Sequence, residues 1–372
     1  LVNVLEVKAG NIVTESGMSY RLLALDDNCA LMSLPVLRKI RNMVYEGAVL
    51  LGDKPAKSPS MSDDQDEFNA IADELWPHEK GESKLGKGIV YTGLTIQEVL
   101  DYAGVGPDFT YSRPGPDTRL LYVHRQLGDL NFYWVNNRNT RVEDLEAIFR
   151  LDGYEAEIWH PETGEIEQAS FTTENGITRV PLHLEASDAV FVVFRNKTKE
   201  TARNITLPQE QTLLTLEGPW TVDFQENRMA PAQISLETLT AWNEIEDDGV
   251  KYFSGTGTYT KTIDASAAWF MEGAEVWLDL GNVKNLAEVI VNDQALGIVW
   301  KTPFRVNVSK ALKEGENTLE IKITNLWVNR LVGDQQPGVE EKVTYTTMPF
   351  YRANSPLKPS GLLGPVRVVG IH

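Results

Sequence analysis

The sequence predicts a multidomain chain of mixed class: an open parallel α/β sheet of flavodoxin-like type, then a small antiparallel β-sandwich, then an all-β jelly roll. Three observations predict it. Strand-like and helix-like runs alternate through the first 117 residues. From Arg119 onward the helical period disappears and short extended runs separated by turns take over. The length, 372 residues, exceeds what one ordinary core serves. The expected divisions are 1–117 for the α/β domain, 118–200 for the sandwich, 201–215 for a polar linker and 216–372 for the jelly roll.

In the first domain, Tyr20 to Leu25 reads as a buried strand, turning at Asp26-Asp27-Asn28. Ser33 is placed to cap a helix with Pro35 in its first turn and an apolar stripe at Val36, Leu37, Ile40, Met43 and Val44. Gly47 sits where a left-handed residue would stop it. Ala48 to Leu51 is a second strand, Glu67 to Leu75 a second helix and Gly88 to Thr92 a third strand. Thr95 and Glu98 form a capping-box pattern ahead of a helix to Tyr102. Such sheets bind ligands at strand C-terminal ends. The turn after Leu51 has Gly52 and Lys54 but lacks Walker spacing, and Gly86-x-Gly88 lies before a strand, on the wrong side for a dinucleotide fingerprint. Cys29 has no elbow or histidine pattern beside it and reads as a structural thiol. This domain carries no catalytic motif.

The sandwich is read from Arg119–Arg125, Leu130–Asn136, Glu146–Leu151, Ala156–Trp159, Ile166–Thr172, Thr178–Leu184 and Ala189–Arg195. Turns at Asp152-Gly153, His160-Pro161-Glu162-Thr163-Gly164 and Asn175-Gly176 separate several of them. Tyr122, Tyr133 and Trp134 follow ordinary core-and-face alternation. Lys197 to Gln211 is polar and aperiodic. The jelly roll follows from Leu216–Phe224, Tyr252–Thr262, Glu275–Leu280, Leu286–Val291, Phe304–Val308, Asn317–Thr324 and Val366–Ile371, with little helix expected.

Composition narrows the function classes. With 42% hydrophobic and 24% charged residues the chain is globular rather than disordered. Its net charge of −18 argues against a nucleic-acid or anionic-membrane partner, since both require a basic face. The longest strongly apolar run, Ala189 to Phe194, is too short for a membrane span. A single cysteine and histidines at 78, 124, 160, 183 and 372 make no disulfide framework and no metal-ligand spacing, so no metal or cofactor is expected. The chain opens on Leu1 without an initiator Met or a signal segment, which suggests a piece of something longer.

The string Val276-Trp277-Leu278-Asp279-Leu280-Gly281-Asn282-Val283, with Ala287 to Asn292, Thr302-Pro303-Phe304 and Gly315 to Leu319, resembles the sugar-binding, galactose-binding-like jelly roll of family 2 glycoside hydrolases. Ile323 to Asp334, then Ser355-Pro356-Leu357 and Pro359 to Val366, resemble the C-terminal region of family 106 α-L-rhamnosidases. Tyr20 to Leu23, Lys54-Pro55 with Ser58-Pro59-Ser60, His124-Arg125 and Val190 to Arg195 resemble the same family. The resemblance spans nearly the whole chain, and the set is specific although each motif alone is weak.

That resemblance implies an inverting glycosidase whose two glutamates stand on a (β/α)8-type barrel upstream of the segments seen here. An inverting pair needs one acid and one carboxylate about 6.5–9.5 Å apart. A barrel takes about 250 residues, far more than the α/β segment offers. No catalytic residue is therefore assigned in this chain. It is expected to be an accessory C-terminal portion acting with an upstream barrel of the same polypeptide on a rhamnose-containing glycan, in the periplasm or outside the cell. The alternatives are an independent carbohydrate-binding module, or a scaffold whose first domain is an inactive glutamine-amidotransferase-like one.

Glu157, Glu162, Glu244, Glu288 and Glu320 have nothing to distinguish them from a solvated acidic face. Sugar recognition pairs an aromatic platform with planar amide or guanidinium groups. Trp300, Asn325, Trp327, Asn329 and Arg330 offer that chemistry within or next to turns, although packing of both tryptophans between the sheets or against an upstream barrel is the preferred reading. Val343 to Arg352 is a long aromatic loop, a lid or a domain contact.

Overall fold

The computed structural model describes residues 4–26, 29–206, 208–271 and 273–372, so the turn expected at Asp26-Asp27-Asn28 lies partly outside it. The protein is mostly β, with several antiparallel sheets. The chain divides into two compact units, Leu1–Thr110 and Tyr111–His372.

The first unit starts with an antiparallel ladder of Leu5–Lys8, Asn11–Thr14 and Ser19–Tyr20, a motif the sequence did not announce. Ile12 from it packs with Met43 and Ala48. The helices form where capping and periodicity place them. Leu34–Glu46 buries Leu34, Leu37, Ile40, Met43 and Val44 on one stripe, and Gly47 ends it at φ 122°, donating to the Met43 and Val44 carbonyls. Gln65–Leu75 starts two residues before the expected point because the Asp64 carboxylate accepts from the Asp66 and Glu67 N–H groups. The capping box of Thr95 and Glu98 opens Ile96–Tyr102.

The flavodoxin-like sheet is not formed. Three short strands, Leu23–Ala24, Val49–Leu51 and Gly88–Thr92, run parallel, and the fourth, Gly81–Leu85, pairs antiparallel with the last of them. Only Gly86 and Lys87 separate those two strands, and a two-residue link closes a hairpin, whereas a parallel return needs a dozen residues or more. Gly86 has φ 57°, and a Cβ there would lie 2.7 Å from the Tyr45 Cα. The strand went unseen because Gly-Glu-Ser-Lys-Leu is mostly polar. Its three parallel strands stand side by side in chain order, so the sheet also lacks the switch-point crevice of flavodoxin-like proteins.

In the second unit one sheet runs in the order Ile166–Gln168, Glu157–Trp159, Ala189–Phe194, Leu130–Asn137, Leu120–Leu127. It faces a second sheet that includes, in order, Ala202–Arg203, Phe171–Glu174, Ile177–Leu184 and Glu143–Phe149. Tyr133, Phe149 and Phe194 meet edge-on between them, with centroids 4.7–6.0 Å apart. Tyr133 is fully buried and Trp134 half-buried on the opposite face, as alternation requires. The run expected at Ile166–Thr172 is two strands in different sheets. The chain crosses between them at buried Ala169, whose N–H reaches the Ala156 carbonyl.

Beyond it, a six-stranded sheet of Gln233–Leu236, Trp220–Phe224, Thr256–Ala265, Gly315–Thr324, Leu286–Val291 and Gln294–Val299 packs on a four-stranded one of Glu210–Thr215, Arg367–Ile371, Glu275–Asp279 and Arg305–Asn307. Every pairing in both is antiparallel. Trp220, Trp242, Phe253 and Tyr259 fill the space between them with aliphatic residues from both faces. Among the described residues no helix is long and apolar enough to cross a membrane.

Candidate functional site

A cleft of about 440 Å³ opens in the second unit, with loops of the sandwich on one wall and the jelly roll on the other. The jelly-roll wall comes from the edge strand Gln294–Val299, which pairs on one side only. Alternation along that strand puts Ile298 and Trp300 on one face, where they are 61% and 63% exposed. Large apolar side chains rarely stand in water side by side unless something packs on them.

The opposite wall begins at the loop after Trp159. The Gly164 N–H donates to the His160 carbonyl, and the His160 N–H to the Glu165 carbonyl. That tight closure carries Glu162 to the tip, where it reaches Lys301 Nζ at 2.7 Å. Asp188 meets the same ammonium at 2.5 Å while its Oδ1 also accepts from the Ala189 N–H. Burial works against the Lys301 charge, but Asp188 and Glu162 outweigh it and hold its pKa above the ordinary lysine value. Arg305 is likewise shared between Glu210, at 2.6 Å, and Asp279, at 3.2 Å.

Two histidines complete the cleft. His160 Nε2 lies 3.0 Å from Glu167, and this bond raises its pKa against the effect of burial. His183 is partly desolvated, which lowers its pKa, but Asp144 at 2.7 Å and Glu185 at 3.3 Å prevail and the net shift is upward. Both imidazoles should therefore titrate above the free value of about 6.5. The stability that they add is fully present below that pH and is lost as pH rises through the raised folded-state values. Nuclear magnetic resonance titration of the His160 and His183 ring protons checks this. Midpoints at or below the free value would contradict the arrangement, as would a His160→Gln destabilisation that grows with pH.

The five sugar-recognition candidates do not gather at this cleft. Trp300 lines it. Trp327, 45% exposed, lines a separate hollow with Leu331 and Val343 to Thr346, and the Arg228 guanidinium stands 4.7 Å from its ring centre. Asn325 staples two segments, its Oδ1 accepting from the Gly255 N–H and its Nδ2 donating to the Phe253 carbonyl. Asn329 is buried, donating to the Lys358 carbonyl and accepting from the Lys358 N–H. Arg330 is buried beside Asp334 at 2.9 Å. The polar groups of these last three point into the protein.

One of the carboxylates read as solvated is buried, and Glu162, on an exposed loop, is ion-paired. Glu157 is buried, held by Arg195 at 2.9 Å and by the Trp159 indole N–H at 2.9 Å. Glu162 is paired with Lys301 as described. Sequence reasoning passed over Glu162, Asp188 and Lys301 as a group because nothing local joins them. Lys301 and Asp188 are 113 residues apart. Among the described residues no group of histidine, cysteine or acidic side chains is arranged to hold a metal ion.

Residues 1–173 match the α-L-rhamnosidase model of glycoside hydrolase family 106, and residues 237–355 match the glycosyl hydrolase 2 galactose-binding domain-like model. A solved rhamnosidase from Novosphingobium sp. PP1Y is 39% identical, with a TM-score of 0.89 over 99% of this chain and 35% of that one. A curated protein of Formosa agariphila, called a putative beta-glucuronidase, is 35% identical over 97% of this chain and 51% of its own length. The chain thus spans about half of the curated relative and about a third of the solved rhamnosidase. On these matches residues 1–173 are similar to the family 106 α-L-rhamnosidases, residues 237–355 are similar to the family 2 galactose-binding-like domain, and nearly the whole chain shares the fold of the solved rhamnosidase.

Proposed function

We propose that this chain is an accessory, non-catalytic part of an α-L-rhamnosidase-like glycoside hydrolase acting on a rhamnose-containing glycan, its catalytic carboxylates lying on a separate barrel of the same polypeptide. One observation carries the reading. Glu162 and Asp188, two carboxylates of the open cleft, are both committed to Lys301. Glycoside hydrolysis needs a carboxylic acid that can give up a proton and a second carboxylate for water or the sugar carbon. A shared ammonium occupies both groups at once, which suits holding a ligand rather than cleaving one. The family 106 and galactose-binding-like matches support a carbohydrate as that ligand. Rhamnose-bearing polysaccharide is met outside the cytoplasm, so the reading carries a periplasmic or extracellular place of action.

The test is rhamnose release from an aryl α-L-rhamnoside. The purified chain is expected to release none, while a protein extended to the full length of the solved relative releases it steadily. Turnover by the chain alone that co-purifies with it through successive columns, and falls when Glu162 is changed, would overturn the reading. A second reading, an independent carbohydrate-binding module, is favoured by the exposure of Trp300. It predicts that the isolated chain binds glycan with the affinity of the longer protein.

A further inference from the structure

We propose that the cleft beside Trp300 is a subsite for an uncharged sugar residue and that it turns away uronates. The inference rests on the reading of the chain as carbohydrate-binding and adds which class of sugar the cleft takes.

The apolar half of the subsite is the ledge of Trp300 and Ile298 on the edge strand. A pyranose presents a face of C–H groups, and an open indole is the side chain that such a face covers best. The volume, about 440 Å³, falls among those of small-molecule sites. The polar half faces it from Lys301. Two of the three ammonium N–H groups serve Glu162 and Asp188, leaving one donor directed by a fixed pair of acceptors. A sugar hydroxyl is donor and acceptor at once, so it can accept from Lys301 while donating to a carboxylate oxygen beside it.

The charge balance decides against anionic sugars. To bind a uronate, a site offers an unshared cation, commonly an arginine in bidentate contact. Among the described lining residues none remains. Lys301 is held by two carboxylates and Arg305 by two others, while His183 lies between Asp144 and Glu185 and His160 on Glu167. Glu165 adds a further negative charge to the rim. A sugar carboxylate entering here meets acidic groups whose counter-charges are already engaged, and it loses its hydration without a partner.

The experiment titrates the whole chain with an α-L-rhamno-trisaccharide and, separately, an α-D-galacturono-trisaccharide in about 0.15 M salt, where surface attraction is screened. The indole N–H resonances are followed. The Trp300 resonance, assigned by its loss in Trp300→Phe, is expected to move with the neutral probe and stay still with the acidic one. Trp300→Ala is expected to weaken the neutral probe at least tenfold with an unchanged near-ultraviolet circular dichroism spectrum. Glu162→Gln releases one partner of Lys301 and is expected to admit the acidic probe at Trp300. Equal shifts with both probes in the unmodified chain would overturn the charge inference while leaving carbohydrate binding standing. No shift of Trp300 with either probe would overturn the subsite itself, whereas the non-catalytic reading stands or falls separately on rhamnose release.

Discussion

Trp242→Ala is expected to lower the unfolding free energy of the second unit by about 3–5 kcal/mol, as large-to-small changes of a buried tryptophan do. The side chain is fully buried, and its ring lies 5.5 Å from Phe224, 5.3 Å from Phe253 and 6.3 Å from Tyr259 by centroid. The backbone has been shaped to it. A Cβ on Gly257 would come within 2.6 Å of its Cζ2, so no side chain larger than hydrogen fits beneath the indole without displacing it. The backbone N–H of Trp242 donates to the Ser360 carbonyl, which ties the turn Trp242–Glu244 to the far strand region. Removing the indole leaves a cavity ringed by three aromatic residues that sit on strands and turns and cannot all collapse inward. Urea unfolding followed by tryptophan fluorescence should show the midpoint fall, with Trp242→Phe recovering part of the loss. A shift below about 1 kcal/mol for the alanine variant would mean that the site relaxes as a surface does.

That residue marks where sequence reading stopped. Between Phe224 and Tyr252 no period of two or of 3.6 runs long enough to be read, yet the segment supplies a strand at Gln233–Leu236, the Trp242 turn and a helix at Asp248–Lys251. The legible elements were those with local chemistry of their own. The stripe and Gly47 delimit Leu34–Glu46, the capping box opens Ile96–Tyr102, and strict alternation writes out Ile177–Leu184. The parallel sheet was over-extended because strand–helix–strand order says nothing about how many strands follow. The decisive hairpin partner, Gly81–Leu85, is too polar to register as a strand.

The site was legible in part for a similar reason. Trp300 could be picked out as an aromatic residue next to a turn, and the structure places it in the open cleft. Its polar neighbours come from three segments distant in sequence, and a carboxylate is indistinguishable in sequence from the many others of an acidic chain. Asn325, Asn329 and Arg330 stood out for their amide and guanidinium groups beside Trp327, and those groups have a local cause. These groups replace backbone pairing where the chain leaves the strand Gly315–Thr324, makes one short helix and turns.

Asp334→Ala is expected to cost about 3–5 kcal/mol, the range for removing one member of a buried ion pair. Arg330 and Asp334 have side chains 4% and 0% exposed, with 2.9 Å between Nε and Oδ1. That contact is an ionic one, its N–H not aligned along a hydrogen bond, so the loss on mutation is chiefly the guanidinium stranded without a counter-charge. Asp334 has a second duty. Its Oδ2 accepts from the Thr344 N–H at 2.8 Å and from the Thr344 hydroxyl at 2.6 Å, which roots the aromatic loop whose Tyr345 and Phe350 stand 89% and 81% exposed. The two duties separate experimentally. Asp334→Asn keeps an acceptor for Thr344 but not the charge, so it should destabilise the unit while leaving amide exchange at Thr344 slow. Asp334→Ala should speed that exchange as well. Replacing the pair together, Arg330→Met with Asp334→Leu, removes both charges at once and should recover most of the stability without restoring slow exchange at Thr344. If the double variant is as unstable as Asp334→Ala, the cost lies in the lost bonds to Thr344 and not in the stranded charge.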